Sequence, residues 1–259
     1  MTNATETRVV IVHVGRSGSR LLGDLLDQHP QITWHGEIYR QLFQTWDSQG
    51  LDYYDPALTA DPIDLLRSHV ATAETPIVGF EVKFFHLDRL NISIADYFDR
   101  LIALGFDHVI VLKRKNLLRK IVSSLVAQER RQYHQAANTP AVLTPITIDL
   151  DAITIDRQRP PLSLQQFIER YEWQFSQLTH YLKDQSHNLS CLNLSYEDDI
   201  QNDPLISYQK SCEFLNVSPG FPEITYGKTN PFPLKDIIQN HDQVFNYLAN
   251  TPYGWMVSP

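Results

Sequence analysis

Residues 9–22 read V-V-I-V-H-V-G-R-S-G-S-R-L-L, and this stretch decides the fold class. Val9 to Val14 is β-branched and almost continuously apolar, which predicts a strand buried on both faces of a parallel sheet. The strand ends at a Gly/Ser turn, Gly15-Arg16-Ser17-Gly18-Ser19. Because leucines at helical spacing follow the turn, the opening predicts a strand, a tight turn and a helix.

The same alternation of strand and helix continues along the chain. Further strands are predicted at residues 77–85, 108–112 and 189–194. Helical patterns cover residues 61–73, 92–104, 116–133, 163–182, 204–215 and 234–249. Such alternation implies right-handed crossovers, so we expect an α/β fold, a three-layer sandwich with a mostly parallel central sheet. Since no linker composition interrupts the 259 residues, we expect a single domain over residues 1–259.

The composition of the chain restricts which ligands it can bind and where in the cell we expect it. The formal net charge is −8, which argues against sequence-independent binding of nucleic acid and requires a local basic cluster for any anionic ligand. Cys191 and Cys212 show no metal-binding spacing, so we expect two buried free thiols in a reducing compartment. The sequence has neither a signal-peptide pattern at its start nor a run of about 18 apolar residues. We therefore expect a cytoplasmic protein with no integral membrane segment.

The turn after the first strand is the first candidate anion site. Gly15 and Gly18 allow backbone N–H groups to point inward, and the following helix begins with a partial positive charge. Arg16, Ser17, Ser19 and Arg20 add charged and hydroxyl donors. The turn lacks the Gly-Lys pair of a nucleotide-binding P-loop, and residues 108–112 are not followed by an acidic Mg²⁺ ligand. The pattern indicates an anion site that uses no metal, or else an ordinary turn with surface arginines.

The second candidate anion site follows the strand predicted at 108–112. Five of the chain's 22 Lys and Arg residues fall in this short stretch: Lys113, Arg114, Lys115, Arg119 and Lys120. Ser123 lies about two turns along the helix that Asn116 is expected to cap. Such a strand end and hydroxyl can hold one phosphate from two sides. A solvated basic helix face is the alternative.

These two segments together resemble the family of sulfotransferases that use 3′-phosphoadenosine 5′-phosphosulfate (PAPS). Gly15-Arg16-Ser17-Gly18-Ser19 is similar to the family's 5′-phosphosulfate loop, although Arg20 stands where that loop has Thr. Arg114 and Ser123 resemble its 3′-phosphate motif, with Lys115 as the alternative cation. The resemblance implies a P-loop-like nucleotide-binding sulfotransferase fold.

Further segments extend the resemblance over most of the chain. Gln28-His29-Pro30 and His35-Gly36-Glu37 are similar to segments of the branch that acts on carbohydrates. Val78 to Leu87, which includes Lys83, resembles the family's second strand. Residues 194–198, L-S-Y-E-D, resemble a family segment whose tyrosine, here Tyr196, lies near the adenine. Lys228 precedes the last helix, where relatives close over the 3′-phosphate with a basic residue.

The resemblance implies transfer of a sulfuryl group from PAPS to an acceptor hydroxyl, with 3′,5′-diphosphoadenosine (PAP) as the product. The branch that it matches implies a saccharide acceptor. Glu37 is then the expected general base, with His35 as the second choice. Arg16 and Lys83 are expected to stabilise the leaving phosphate, and no metal is expected.

Two other functions stay open at this point. One is a nucleotide-dependent kinase on a P-loop-like fold, and the other is a non-catalytic relative that binds an anion or a partner. Aromatic residues before the second predicted strand could stack on a sugar or could fill the core: Trp34, Tyr39, Trp46, Tyr53 and Tyr54. The Pro-containing segment 134–161 could form a lid or an acceptor-binding loop.

Overall fold

A computed structural model describes residues 7–51, 61–155 and 160–257. These ranges contain one five-stranded sheet in the order β2-β3-β1-β4-β5. Every neighbouring pair of strands is parallel. The strands are β1 (Thr7–His13), β2 (Ile32–Trp34), β3 (Ile77–Lys83), β4 (His108–Lys113) and β5 (Ser190–Ser195). The predicted α/β class with a parallel central sheet is confirmed.

Helices alternate with the strands along the chain and continue after β5. They are α1 (Ser19–Asp27), α2 (Arg40–Ser48), α3 (Pro62–Ala71), α4 (Phe84–Arg89), α5 (Ile94–Ala103), α6 (Leu117–Arg130), α7 (Leu164–Asp184), α8 (Tyr196–Asp199), α9 (Pro204–Phe214), α10 (Leu234–Ile237) and α11 (His241–Ala249). Several begin at residues that satisfy free N–H groups: the side chain of Asn116 accepts from Arg119, and that of Ser93 accepts from Asp96. Among the helices of the described ranges, none combines the length and apolar character that crossing a membrane requires.

The described residues form two compact units. The first comprises those within Met1–Lys113 and Ser176–Glu223, and the second comprises those within Arg114–Phe175 and Ile224–Pro259. The sheet belongs to the first unit, where Val9 and Ile11 of β1 pack with Leu22, Leu25 and Leu26 of α1. A single domain over residues 1–259 stays a prediction.

The second unit has its own apolar core. Residues of α6, α7 and α11 pack together with Ile146, Ile148 and Ile153. The backbone of Ile146 exchanges hydrogen bonds with Ile237 and Gln239, so this part of segment 134–161 is packed into the unit. Residues 156–159 of that segment lie outside the described residues.

Three predictions differ from the structure: the bounds of one strand, the continuity of one helix and the burial of one cysteine. The strand predicted to reach residue 85 ends at Lys83, because the Lys83 N–H donates to His86 Nδ1 at 3.3 Å and α4 begins there. The helix predicted over 234–249 is two helices, separated where the Asn240 side chain bonds the backbone of Ile148. Cys191 is exposed on β5 rather than buried, because β5 is an edge strand, whereas Cys212 is buried.

Candidate functional site

The candidate site of the first unit lies at the carboxyl ends of the strands. In a parallel sheet these ends share one edge, which is where open α/β sheets bind ligands. The turn 14–18 follows β1, Glu37 follows β2, Lys83 ends β3 and Tyr196 follows β5. The sequence placed the turn and Tyr196 after predicted strands, whereas β2 was not predicted and the strand containing Lys83 was expected to reach residue 85. The common parallel direction brings all four to one edge.

The turn between β1 and α1 contains two residues in the left-handed region of the backbone, one of which is a glycine. Arg16 and Gly18 have positive φ angles of 67° and 86°. A Cβ at Gly18 would lie 3.0 Å from Ile200 and 3.1 Å from Tyr196, so a larger residue would be both strained and crowded there. Tyr196 therefore lies beside the turn, and its contact with an adenine stays a prediction from the resemblance.

The side chains of the turn are not equally accessible. Arg20 is exposed, and Ser19 starts α1 with a largely buried side chain. Ser17 is fully buried, and its Oγ lies 3.2 Å from Nδ1 of His13 at the end of β1. The sequence predicted Ser17 as a hydroxyl donor to an anion; the structure gives this hydroxyl a partner within the protein.

A tight cluster of charges surrounds Glu37. Nζ of Lys83 lies 2.5 Å from Oε2 of Glu37, and Nε2 of His86 lies 3.6 Å from the same oxygen. Gly36, with φ 62°, carries the chain from β2 into this position while its carbonyl accepts from the N–H of Glu81. A Cβ at Gly15 would lie 3.9 Å from Cδ and Cε of Lys83, so this side chain passes beside the turn.

The ionisation of the cluster follows from these contacts. Burial acts to raise the pKa of Glu37, but contacts with His86 and Lys83 outweigh it and hold that pKa far below its usual range. Burial lowers the pKa of His86 to about 4, against the opposing effect of Glu37. Because His86 Nδ1 accepts from the Lys83 N–H, the ring proton of neutral His86 lies on Nε2 and faces Glu37.

His35 occupies different surroundings from Glu37. Its ring makes an edge contact with the ring of His69 on α3, with centroids 4.9 Å apart. Burial and the neighbouring His69 lower the pKa of His35. Nε2 of His35 is buried with no hydrogen-bond partner among the described residues. Glu37 as the base, with His35 as the second choice, stays a prediction.

The second unit holds the residues predicted to bind the 3′-phosphate. Arg114 is half-buried, Lys115 is exposed, and Ser123 is buried on α6. Lys228 is exposed in a segment that begins with a backbone bond from Gly227 N–H to the Gln135 carbonyl.

Arg119 and Lys120 of the basic stretch make structural contacts within this unit. The Arg119 guanidinium donates to the Phe232 carbonyl at 3.1 Å. The Lys120 ammonium is buried against the ring and hydroxyl of Tyr171. The clustering of charge in sequence therefore overstates the number of cations available to an anion.

The aromatic residues near Glu37 that the structure describes pack within the protein. Tyr39 and Trp46 are buried. Trp34 lies so close to Gly23 and Gly79 that a Cβ at either would collide with its ring. Tyr53 and Tyr54 lie outside the described residues. The sequence left stacking on a sugar and core packing as alternatives for these aromatic residues, and the structure supports core packing for Trp34, Tyr39 and Trp46.

Three functional candidates were missed in the sequence: His13, Glu81 and His86. His13 and Glu81 each interrupt an otherwise apolar run in a buried strand, and this is the signal that could have identified them. His86 had no such signal because it follows the strand end that the sequence misplaced. Within the described ranges, no three His, Cys, Asp or Glu side chains are grouped as a metal site requires.

Comparison with known proteins adds no family to these observations. No protein-family model matches the sequence, and no curated protein matches it significantly.

Proposed function

We propose that this protein is a sulfotransferase that moves a sulfuryl group from PAPS to the hydroxyl of a saccharide, on a P-loop-like sulfotransferase fold. The observation that carries the proposal is the position of Lys83. Its aliphatic chain passes beside the turn that resembles the 5′-phosphosulfate loop, and its ammonium lies 2.5 Å from Glu37. A cation beside the leaving phosphate and a carboxylate that can accept the hydroxyl proton are the two groups that this reaction needs.

The residues of the turn fit a phosphosulfate group. Positive φ angles at Arg16 and Gly18 allow successive N–H groups to face one anion, and α1 adds the field of its N-terminus. Gly15, Ser19 and Arg20 complete the proposed contacts, and Tyr196 beside Gly18 would contact the adenine. In the second unit, Arg114 or Lys115, Ser123 and Lys228 would hold the 3′-phosphate. The proposal for these residues and for the saccharide rests on the resemblance.

The proposed reaction transfers a sulfuryl group from the 5′-phosphate of PAPS to the acceptor hydroxyl. The acceptor oxygen loses a proton, and the leaving phosphate oxygen gains negative charge. The acceptor oxygen bonds to sulfur while its proton passes to Glu37. The bond from sulfur to the 5′-phosphate oxygen breaks, and Lys83 and Arg16 neutralise the charge that develops on that oxygen. Because Lys83 also holds Glu37, its attraction to the leaving phosphate weakens its hold on the carboxylate. Glu37 then becomes a stronger base when the donor is bound.

Calorimetric titration with PAP, beside adenosine 5′-monophosphate, tests the proposal. We expect PAP to bind at micromolar concentration and the monophosphate to bind much more weakly, because only PAP carries the 3′-phosphate. Arg114→Ala and Lys115→Ala should reveal which cation reads that group, and Lys183→Ala on exposed α7 surface serves as the control. Equal affinity for the two nucleotides, or no binding of either, would contradict the proposal.

Turnover separates an enzyme from a relative that only binds. Wild-type protein should release PAP from PAPS in the presence of a suitable saccharide, and Glu37→Gln should lower kcat by roughly 100-fold or more because the base is lost. Preferential stabilisation by ATP with Mg²⁺ would instead favour the kinase alternative. With two free cysteines, we also propose a reducing compartment, the cytoplasm.

A further inference from the structure

A short loop of the second unit exposes two adjacent aliphatic side chains. The loop spans residues 140–145, P-A-V-L-T-P, and has a proline at each end. Val142 is 57% exposed and Leu143 is 42% exposed. Leaving both side chains in water forgoes the free energy that their burial would supply. Contiguous apolar surface of this kind marks a place where a protein meets a partner or a membrane.

Hydrogen bonds hold the chain on both sides of the loop. Before it, the Gln135 side chain donates to the Thr139 carbonyl at 2.6 Å, and the Thr139 N–H donates to the Ala136 carbonyl at 3.1 Å. After it, Ile146 is buried, and its N–H donates to the Ile237 carbonyl at 2.7 Å. The prolines restrict the backbone further, because each fixes its own φ angle. The two aliphatic side chains are therefore presented from a supported backbone.

A second segment lies against the chain that leads into the loop. Ala136 pairs antiparallel with Tyr226, and the Ala137 N–H donates to the Thr225 carbonyl at 2.8 Å. Ile224, which directly precedes this contact, is 42% exposed. The pairing therefore brings a third exposed aliphatic side chain to the base of the loop.

The charge of these two segments is opposite to that of the whole chain. Residues 130–148 and 224–235 contain four Lys and Arg residues and no Asp or Glu, whereas the formal net charge of the protein is −8. The Arg130 guanidinium donates to the carbonyl of Thr229, a neutral acceptor, at 3.4 Å, which places this cation beside the second segment. Arg131 and Lys228 are exposed. Exposed aliphatic side chains with basic residues beside them suit an apolar layer that has an anionic surface.

We propose that loop 140–145, Ile224 and the adjacent basic residues bind the surface of an anionic membrane. Val142 and Leu143 enter the boundary between headgroups and acyl chains, and the cations contact the anionic headgroups. A membrane offers an apolar layer and a charged surface side by side without a shaped pocket. A saccharide fits less well, because neither aliphatic side chain can form a hydrogen bond with a hydroxyl group. The proposal does not rest on the proposed function, since it involves neither PAPS nor Glu37.

Co-sedimentation with vesicles tests the proposal, with phosphatidylcholine alone compared with a mixture of phosphatidylcholine and phosphatidylserine. We expect wild-type protein to bind the mixed vesicles and to bind much more weakly to the neutral ones, or in high salt, where the attraction is screened. Arg131→Gln should weaken binding to mixed vesicles roughly fivefold, the effect of one basic residue near an anionic surface. Val142→Ser combined with Leu143→Ser should weaken it by roughly tenfold or more, because the inserted apolar area is lost.

The control is Trp173→Ser, which removes a large exposed side chain from α7 of the same unit and should bind vesicles as wild type does. All the substituted side chains are exposed, so the variants should fold, and thermal unfolding checks that they do. Wild-type protein that ignores mixed vesicles, or equal binding by wild type and the double variant, would overturn the proposal. Self-association that the double variant loses, without vesicle binding, would assign the surface to a second copy of the chain and would overturn it too.

Fluorescence quenching measures insertion separately from binding. A fluorophore is attached at Leu143→Cys or, as the control position, at Trp173→Cys, both with Cys191→Ser because Cys191 is exposed. We expect nitroxide groups on the lipid acyl chains to quench the fluorophore at residue 143 and to leave that at residue 173 unquenched. A fluorophore at residue 143 that stays unquenched on protein bound to vesicles would mean that charge alone holds the protein there, and the proposed insertion would be wrong.

Discussion

At the scale of single residues, Lys83 sets the basicity of Glu37. The ammonium at 2.5 Å and His86 together lower the pKa of Glu37 far below its usual range, so the carboxylate stays ionised through the neutral and mildly acidic range. In Lys83→Met the contact with His86 still lowers the pKa of Glu37, but the ammonium no longer adds to that effect against burial, so the pKa of Glu37 should rise. We expect the acid limb of the pH profile of kcat/KM to move upward by about 1–3 pH units.

The control is Lys210→Met, which removes another lysine ion-paired to a carboxylate, Asp199 at 2.7 Å, outside the candidate cluster. Its acid limb should match that of wild type. An acid limb in Lys83→Met that does not move would show that Glu37 is not the group whose ionisation limits turnover.

Residues at strand ends could be predicted from the sequence, whereas residues whose role depends on register could not. The turn 14–18 and Tyr196 follow predicted apolar strands, and the structure brings them to the edge expected for a parallel sheet. Glu37 and Lys83 were named only from the resemblance, because β2 was not predicted and the end of β3 was misplaced. The contact between His13 and Glu81 requires knowing that β1 pairs with β3, 70 residues away, with Ile11 beside Glu81. His86 was missed for a local reason, because it lies in the first turn of a helix whose β-prone Phe84 and Phe85 suggested that the strand continued.

At the scale of elements, the edge strand β2 is held by the ring of Trp34. A Cβ at Gly79 would lie 2.3 Å from Cζ3 of Trp34 and 2.8 Å from Cγ1 of Val9. Neither the indole nor the strand can move away cheaply, so Gly79→Ala should lower the free energy of unfolding by about 1–3 kcal/mol, as overpacking does. Urea unfolding measures the loss. Gly220→Ala, where a Cβ would meet only the Tyr208 hydroxyl at 3.5 Å, should show no such loss.

The same substitution should act on the site, because β2 leads directly into Glu37. Displacement of Trp34 should weaken the contact between Glu37 and Lys83 and lower turnover in the folded fraction. Unchanged stability in Gly79→Ala would mean that Trp34 can repack. The three-residue strand β2 was itself invisible to periodicity, because alternation cannot be recognised over so few residues.

At the scale of the whole molecule, buried His86 makes the free energy of unfolding depend on pH. Burial lowers its pKa to about 4 in the folded protein, whereas the unfolded chain has the ordinary value near 6.5. Between these values the unfolded state binds the additional proton, so stability falls as the pH falls. The full loss is on the order of 3 kcal/mol, and about 2 kcal/mol of it should appear between pH 6.5 and pH 5.

His86→Gln removes the titrating imidazole but keeps polar groups that can face Glu37 and the Lys83 N–H. The free energy of unfolding of this variant should therefore vary less between pH 6.5 and pH 5 than that of wild type. His35, whose pKa is also lowered, leaves a smaller dependence of the same sign. Glu37 affects the free energy of unfolding in a lower pH range than His86 does. Its lowered pKa contributes stability that is present above the unfolded pKa of about 4.3 and is lost as the pH falls below that value. His180→Gln makes the same substitution at an exposed position on α7 and should keep the wild-type slope. If His86→Gln and His180→Gln have equal slopes between pH 6.5 and pH 5, then His86 is not the neutral, buried partner of Glu37 that the geometry indicates.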